Sequence, residues 1–131
     1  MAVTGLANLA VKVRDLDAAL DFYRSAGFET RAPIDWEGTQ RAEVWLGPLQ
    51  LTLFTQAIYE DALDLPHDCF LHPALFCDDL DGQLRGHRVL WGPRVVRGPF
   101  GVRRIAFVEA PGSMRLEFME QLEDPAEPTS R

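Results

Sequence analysis

An imidazole and a carboxylate, His72 and Glu117, are the two residues of this sequence whose types best suit joint chemistry. Side by side in an apolar surround they make an acid/base couple or a polar anchor that orients a ligand. With further donors they would be half of a metal centre, suited to Fe, Mn, Ni or Zn with positions left open for substrate. The positions that should complete such a centre hold Asn8 and Thr52. Asn8 is a weak neutral ligand and Thr52 a weaker one, and two strong donors rarely hold a divalent ion firmly. The expectation is therefore no resident cofactor, with a divalent metal as the alternative. The plain reading of the pair is a hydrogen-bonded core histidine and its ion partner.

An internal repeat equates these positions. Leu6-Ala-Asn-Leu-Ala-Val-Lys-Val-Arg-Asp15-Leu-Asp-Ala-Ala-Leu20 recurs as Phe70-Leu-His-Pro-Ala-Leu-Phe-Cys-Asp-Asp79-Leu-Asp-Gly-Gln-Leu84. Ala10/Ala74, Asp15/Asp79, Leu16/Leu80, Asp17/Asp81 and Leu20/Leu84 coincide. A repeat of this length is one supersecondary unit used twice, and two such units can enclose a cleft. Strand parity then assigns faces. Leu49, Leu51 and Leu53 form a face for a helix to cover, leaving Gln50, Thr52 and Phe54 opposite. Met114, Leu116 and Phe118 go to the core, leaving Arg115, Glu117 and Met119 opposite. Phe70, His72, Ala74 and Phe76 share a face, as do Asn8, Ala10 and Lys12. The repeat places Asn8 with His72 and Thr52 with Glu117, so these four should converge on the concave side.

The elements that must do this positioning are legible. Strands are predicted at 6–13, 28–34, 40–46 and 49–55, and again at 70–77, 88–96, 102–108 and 114–120. Asp15 caps a helix whose buried stripe is Leu16, Ala19, Leu20 and Tyr23, and Gly27 ends it. Asp79 caps a shorter, poorer helix containing Gly82 and Gly86. Turns fall at Gly47-Pro48, Gly98-Pro99 and Pro111-Gly112-Ser113. Gln56–Asp68 reads as an acidic linker with a helical turn, and 123–131 as a disordered tail. The fold class is α+β: two βαβββ modules, about 5–56 and 69–121, forming curved sheets around a central cleft within a single domain over 1–122.

Composition excludes several function classes. An apolar fraction of 47% and a charged fraction of 25% suit a soluble domain. No apolar run spans a membrane and no signal peptide opens the chain, so a cytoplasmic protein with no membrane partner is expected. A net charge of −7 argues against nucleic acid. Cys69 and Cys77 form no CxxC pair and read as reduced thiols. Gly82 to Val108 holds no acid but carries Arg85, Arg88, Arg94, Arg97, Arg103 and Arg104. That segment is either a solvated hairpin or an electropositive rim for a small carboxylate or phosphate. Parity lets one of Arg103 and Arg104 face inward, and Arg104 is favoured because it shares a face with the small Ala106.

Three segments carry a family resemblance: Asn8 to Tyr23 with Gly27-Phe28, His72-Pro-Ala-Leu-Phe-Cys-Asp-Asp79, and Pro111-Gly-Ser-Met-Arg-Leu-Glu117-Phe118. With Gly92-Pro93 and Gly101, they make nearly all of residues 5–121 resemble the vicinal oxygen chelate superfamily of glyoxalase I, bleomycin-resistance proteins and extradiol dioxygenases. In metal-dependent members the first strand of each unit gives a His and the last a Glu. His72 and Glu117 match that pattern, whereas Asn8 and Thr52 depart from it. Resistance-type members lack the metal and sequester a drug in the same cup, for which Trp36, Trp45, Trp91, Phe54, Phe70, Phe76 and Phe100 are candidate walls.

The resemblance thus implies a small-molecule (drug or metabolite) binding protein, working as a homodimer. Its ligand, expected to be an anionic aromatic, would meet Asn8, Lys12, Thr52, Phe54, Phe76, Trp45, Trp91 and Arg104. The alternative is a metal-dependent lyase, isomerase or dioxygenase acting on a small oxygenated substrate. There His72 and Glu117 would be catalytic and metal-binding, and substrate, water or a neighbouring Glu43 or His67 would supply the missing ligands.

Overall fold

Both copies of the repeat fold as a strand, a helix and a run of further strands. The computed structural model describes residues 2–60 and 64–125. The first copy comprises β1 (Val3–Lys12), α1 (Leu16–Ser25), β2 (Glu29–Thr30), β3 (Ile34–Trp36), β4 (Thr39–Leu46) and β5 (Leu49–Phe54). The second comprises β6 (Cys69–Cys77), α2 (Leu80–Leu84), β7 (Val89–Gly98), β8 (Gly101–Ala110) and β9 (Met114–Glu123). The described residues divide into two compact units: unit 1 is 2–7 with 72–125, and unit 2 is 8–60 with 64–71. The start of β1 thus groups with the second copy. There the Asp78 N–H donates to the Ala2 carbonyl at 3.1 Å, and the Ala2 N–H to Asp78 Oδ1 at 2.7 Å.

The aspartates shared by the two copies do the same work. The Asp15 carboxylate accepts from the Ala18 N–H at 3.0 Å, and that of Asp79 from the Gly82 N–H at 3.2 Å. Each satisfies a donor that the first helical turn leaves without a backbone partner. After α1, Gly27 takes a φ of 99°, which costs a residue without Cβ little. Its N–H donates to the Arg24 carbonyl at 3.1 Å, and the Phe28 N–H to that of Tyr23 at 2.9 Å. With Gly82 inside it and Gly86 just beyond, α2 is only five residues long.

The predicted strand over 28–34 is broken in two. β2 stops at Thr30 and β3 starts at Ile34. Pro33 lies between them, with no N–H for a ladder. The later hairpins run further than predicted, and β9 extends through Glu123, which the sequence assigned to the tail. In the linker the Glu60 N–H donates to the Ala57 carbonyl at 3.1 Å, closing one turn. The rest of the tail assignment, 126–131, and positions 61–63 of the linker lie outside the described residues.

Register makes the copies superimposable in kind. β1 pairs β5 in parallel with Ala10 opposite Thr52, and β6 pairs β9 in parallel with Ala74 opposite Glu117. In unit 2, Leu16 and Leu20 of α1 pack with Ala42, Val44 and Leu53. In unit 1, Leu80 packs with Cys77, Ala106, Val108 and Phe118. Each fully buried leucine contributes roughly 1.5–3 kcal/mol, enough to fix which sheet face a helix covers. Met114, assigned by parity to the core, is 40% exposed because it lies at the strand end beside the Pro111-Gly112-Ser113 turn.

Candidate functional site

The helix-free face of unit 1 holds the imidazole–carboxylate pair. His72 Nε2 lies 2.9 Å from Glu117 Oε1, with side chains only 5% and 8% exposed. The His72 ring meets Phe107 edge-on at 4.8 Å, and Phe107 meets Trp91 at 5.7 Å. Met119 follows Glu117 on the same face, buried beside Phe76 in register. A polar couple is thus set among aromatic and thioether groups, an arrangement that raises the cost of leaving either partner unpaired. Chemically it can hold or pass a proton, or anchor a polar group of a ligand.

Arg103, not Arg104, belongs to this face. Its guanidinium lies over Phe100 at 4.5 Å and Phe76 at 5.2 Å, and its Nε donates to Gln121 Oε1 at 2.6 Å. Arg104 instead donates to Asp81 of α2 at 2.8 Å, on the helix-covered side. This corrects the parity expectation. Ala106 is small because α2 packs against it, with Leu80 in the same cluster, rather than because it opens a cleft. The Arg104 guanidinium, hydrogen-bonded to Asp81, holds that carboxyl below its ordinary range, and Asp81 raises Arg104 in return. Arg85, Arg88, Arg94 and Arg97 are exposed, and Arg88 pairs Glu109 at 3.2 Å. Most of the acid-free segment is a solvated hairpin.

Unit 2 presents a different face. Its cross-strand rows are Ala10, Thr52 and Glu43, then Lys12, Phe54 and Arg41, with Gln50 opposite Trp45. Asn8 is 6% exposed and Thr52 1%, and Gln50 Nε2 donates to Thr52 Oγ1 at 2.9 Å. Lys12 Nζ is engaged by Glu60 Oε1 at 2.9 Å. Glu43 accepts from Arg41 Nη1 at 3.1 Å and Trp45 Nε1 at 3.2 Å, with Arg31 Nη1 at 3.6 Å. Trp36 packs on Phe54 at 5.8 Å. The sequence reading of this unit missed Arg31 and Arg41 and weighed Glu43 solely as a spare metal ligand. The signal was present: Arg41, Glu43 and Trp45 alternate with Ala42 and Val44, which puts two charges on the face away from the helix.

The structure therefore brings together His72 with Glu117, and Phe76 with Arg103, in unit 1. In unit 2 it gathers Lys12 and Phe54 beside Arg41, and Thr52 and Trp45 beside Glu43. Phe70 is 51% exposed. Among the described residues no three His, Cys, Asp or Glu side chains gather as metal ligands. Glu43 is occupied by two arginines and an indole, and His67 is exposed. One imidazole and one carboxylate already bonded to each other fall short of the three protein ligands that hold a catalytic zinc, so these residues do not fit a firmly held divalent ion.

No protein-family model matches the sequence, and no curated protein sequence matches it. Solved structures do. Methylmalonyl-CoA epimerase of Streptomyces coelicolor, in complex with 2-nitronate-propionyl-CoA, is 25% identical over 96% of this chain and 100% of its own, with a TM-score of 0.70. Glyoxalase I from Zea mays is 19% identical over 91% of this chain and 44% of its own, with a TM-score of 0.62. A glyoxalase/bleomycin resistance protein/dioxygenase superfamily member from Vibrio splendidus is 12% identical over 89% of this chain and 99% of its own, with a TM-score of 0.63. Two βαβββ modules of matching register, and these structural relatives, give the chain the fold of the vicinal oxygen chelate superfamily.

Proposed function

We propose that the protein binds a small molecule on the helix-free faces of its modules, in the manner of the resistance-type members, without a resident divalent metal. The observation that carries this reading is the buried His72–Glu117 couple at 2.9 Å, a polar anchor among Phe107, Met119 and Trp91. Asn8 and Thr52, at the equivalent positions of unit 2, supply neutral groups that suit hydrogen bonding to a ligand better than metal ligation. A twofold homodimer is part of the proposal. Leu6 and Phe70 are 52% and 51% exposed on strands, and a second copy would shield such surface.

A second reading is favoured by one comparison. The epimerase relative spans its whole length on this chain, and His72 with Glu117 could move a proton on a small oxygenated substrate. Calorimetric titration with Mn, Fe, Ni and Zn tests the metal-free part of the first reading. Binding no tighter than about micromolar, near 8 kcal/mol, fits the binding protein. A sub-micromolar site lost in His72→Ala would overturn it in favour of a metal-assisted enzyme.

A further inference from the structure

One guanidinium on the helix-free face of unit 2, that of Arg31, is short of acceptors. Lys12 is answered by Glu60 at 2.9 Å. Arg41 and Arg31 both approach the carboxylate of Glu43. That carboxylate is already committed, since Oε2 accepts from Arg41 at 3.1 Å and Oε1 from the Trp45 indole at 3.2 Å. Arg31 is the residue left short. Its Nη1 stands 3.6 Å from Glu43, beyond hydrogen-bond reach, and its Nη2 is buried without a hydrogen-bond partner. Glu29, in register with Trp45 on β2, is exposed to solvent. A buried guanidinium donor with no acceptor is costly, and an incoming anion is the natural group to relieve it.

We infer that this face binds the carboxylate or phosphate of a flat ligand, with Arg31 and Arg41 supplying charge and Trp36, Trp45 and Phe54 supplying walls. Arg31 lies over the Trp45 ring at 5.6 Å. Arg41 lies over Trp36 at 5.7 Å and Phe54 at 5.8 Å. Stacking of this kind holds a guanidinium against the ring face, which preorganises it for a planar anion and places aromatic surface beside the bound charge. The inference rests on the small-molecule reading above and names its ligand class. The anion contact thereby falls on β4 and the β2–β3 connection rather than on the acid-free segment 82–108.

The test is a two-dimensional NMR titration of the full chain at low salt with benzoate, phenyl phosphate, benzamide and benzylammonium. The Trp45 indole N–H, assigned with Trp45→Phe, reports on the site because it bonds Glu43. Benzoate or phenyl phosphate should shift that resonance and bind at least about tenfold tighter than benzamide, a ratio set by charge-assisted pairing. The tighter of the two anions identifies the source as carboxylate or phosphate. In Arg31→Met the advantage of the anions over benzamide should be lost, and Arg31→Lys should keep part of it. Equal binding of benzoate, phenyl phosphate and benzamide, or an unchanged ratio in Arg31→Met, overturns the inference. If benzamide or benzylammonium binds and neither anion does, the small-molecule reading stands and this one fails. If no probe shifts any resonance, both fail.

Discussion

Glu117→Ala, with His72 left in place, probes whether the buried couple is a real constraint on unit 1. The two side chains are 5% and 8% exposed and 2.9 Å apart, so neither has water in reserve. Truncation leaves an imidazole nitrogen without its partner, at about 1–3 kcal/mol. It also removes a buried methylene along with the carboxylate, at about 0.8 kcal/mol. We expect a loss of about 2–4 kcal/mol, a large fraction of the roughly 5–15 kcal/mol typical of a domain. The double variant His72→Phe/Glu117→Leu removes both polar groups and keeps a ring against Phe107, which His72 now meets at 4.8 Å. Replacing a whole buried pair by apolar groups is often near neutral, so the double variant should cost about 1 kcal/mol. Urea unfolding of wild type, His72→Phe, Glu117→Leu and the double gives the coupling as a mutant cycle, provided the m-value is unchanged. A loss under about 1 kcal/mol for Glu117→Ala, or strictly additive single variants, would refute the reasoning, because the pair would then be solvated and uncoupled.

Three further outcomes are expected. Asp81 has its carboxyl lowered chiefly by the hydrogen bond from Arg104, so the pair stabilises above the ordinary carboxylate range and is lost as pH falls through the lowered value. Urea midpoints of Asp81→Asn should therefore lie below wild type at neutral pH and converge with it in acid or high salt. Burial, and then Glu120, push the Cys77 thiol up, whereas Cys69 is half-exposed. Thiol titration of the native protein should label Cys69 first, with Cys77 following only on unfolding. Sedimentation over a wide concentration range should find a dimer, and a monomer persisting at high micromolar concentration would count against the proposed twofold contact.

Periodicity carried most of the fold because burial enforces it. Leu51 and Leu53 on one face of β5, with Thr52 and Phe54 on the other, follow from α1 covering one side only. The capping aspartates were readable because a short carboxylate ahead of an amphipathic run has few other uses. Element ends were less readable. The break between β2 and β3 turns on one missing donor at Pro33, and the ends of β7 and β9 depend on pairing partners rather than on their own residues. Arg103 and Arg104 were exchanged for a related reason. A small residue on a strand fits either an open face or a close helix, and only the position of α2 decides that Ala106 is the second case.

The site was half legible because the repeat fixes positions and leaves their chemistry open. In unit 1 the row Ala74, Glu117, Phe107 crosses β6, β9 and β8. Its counterpart in unit 2 is Ala10, Thr52, Glu43 across β1, β5 and β4. Each row has one carboxylate, but it stands on the central strand in unit 1 and one strand further out in unit 2. Comparing repeat positions alone therefore registers Thr52 as a lost acid and overlooks Glu43, which faces the same way one strand over. The partners moved with it. Glu117 meets an imidazole from β6, whereas Glu43 meets Arg41 from its own strand and Arg31 from the β2–β3 connection. A neutral imidazole partner offers one donor and one acceptor nitrogen, whereas a guanidinium only donates. Equivalent faces of the two units thus carry different chemistry, a hydrogen-bonded imidazole and carboxylate in unit 1 and a carboxylate flanked by two guanidinium groups in unit 2.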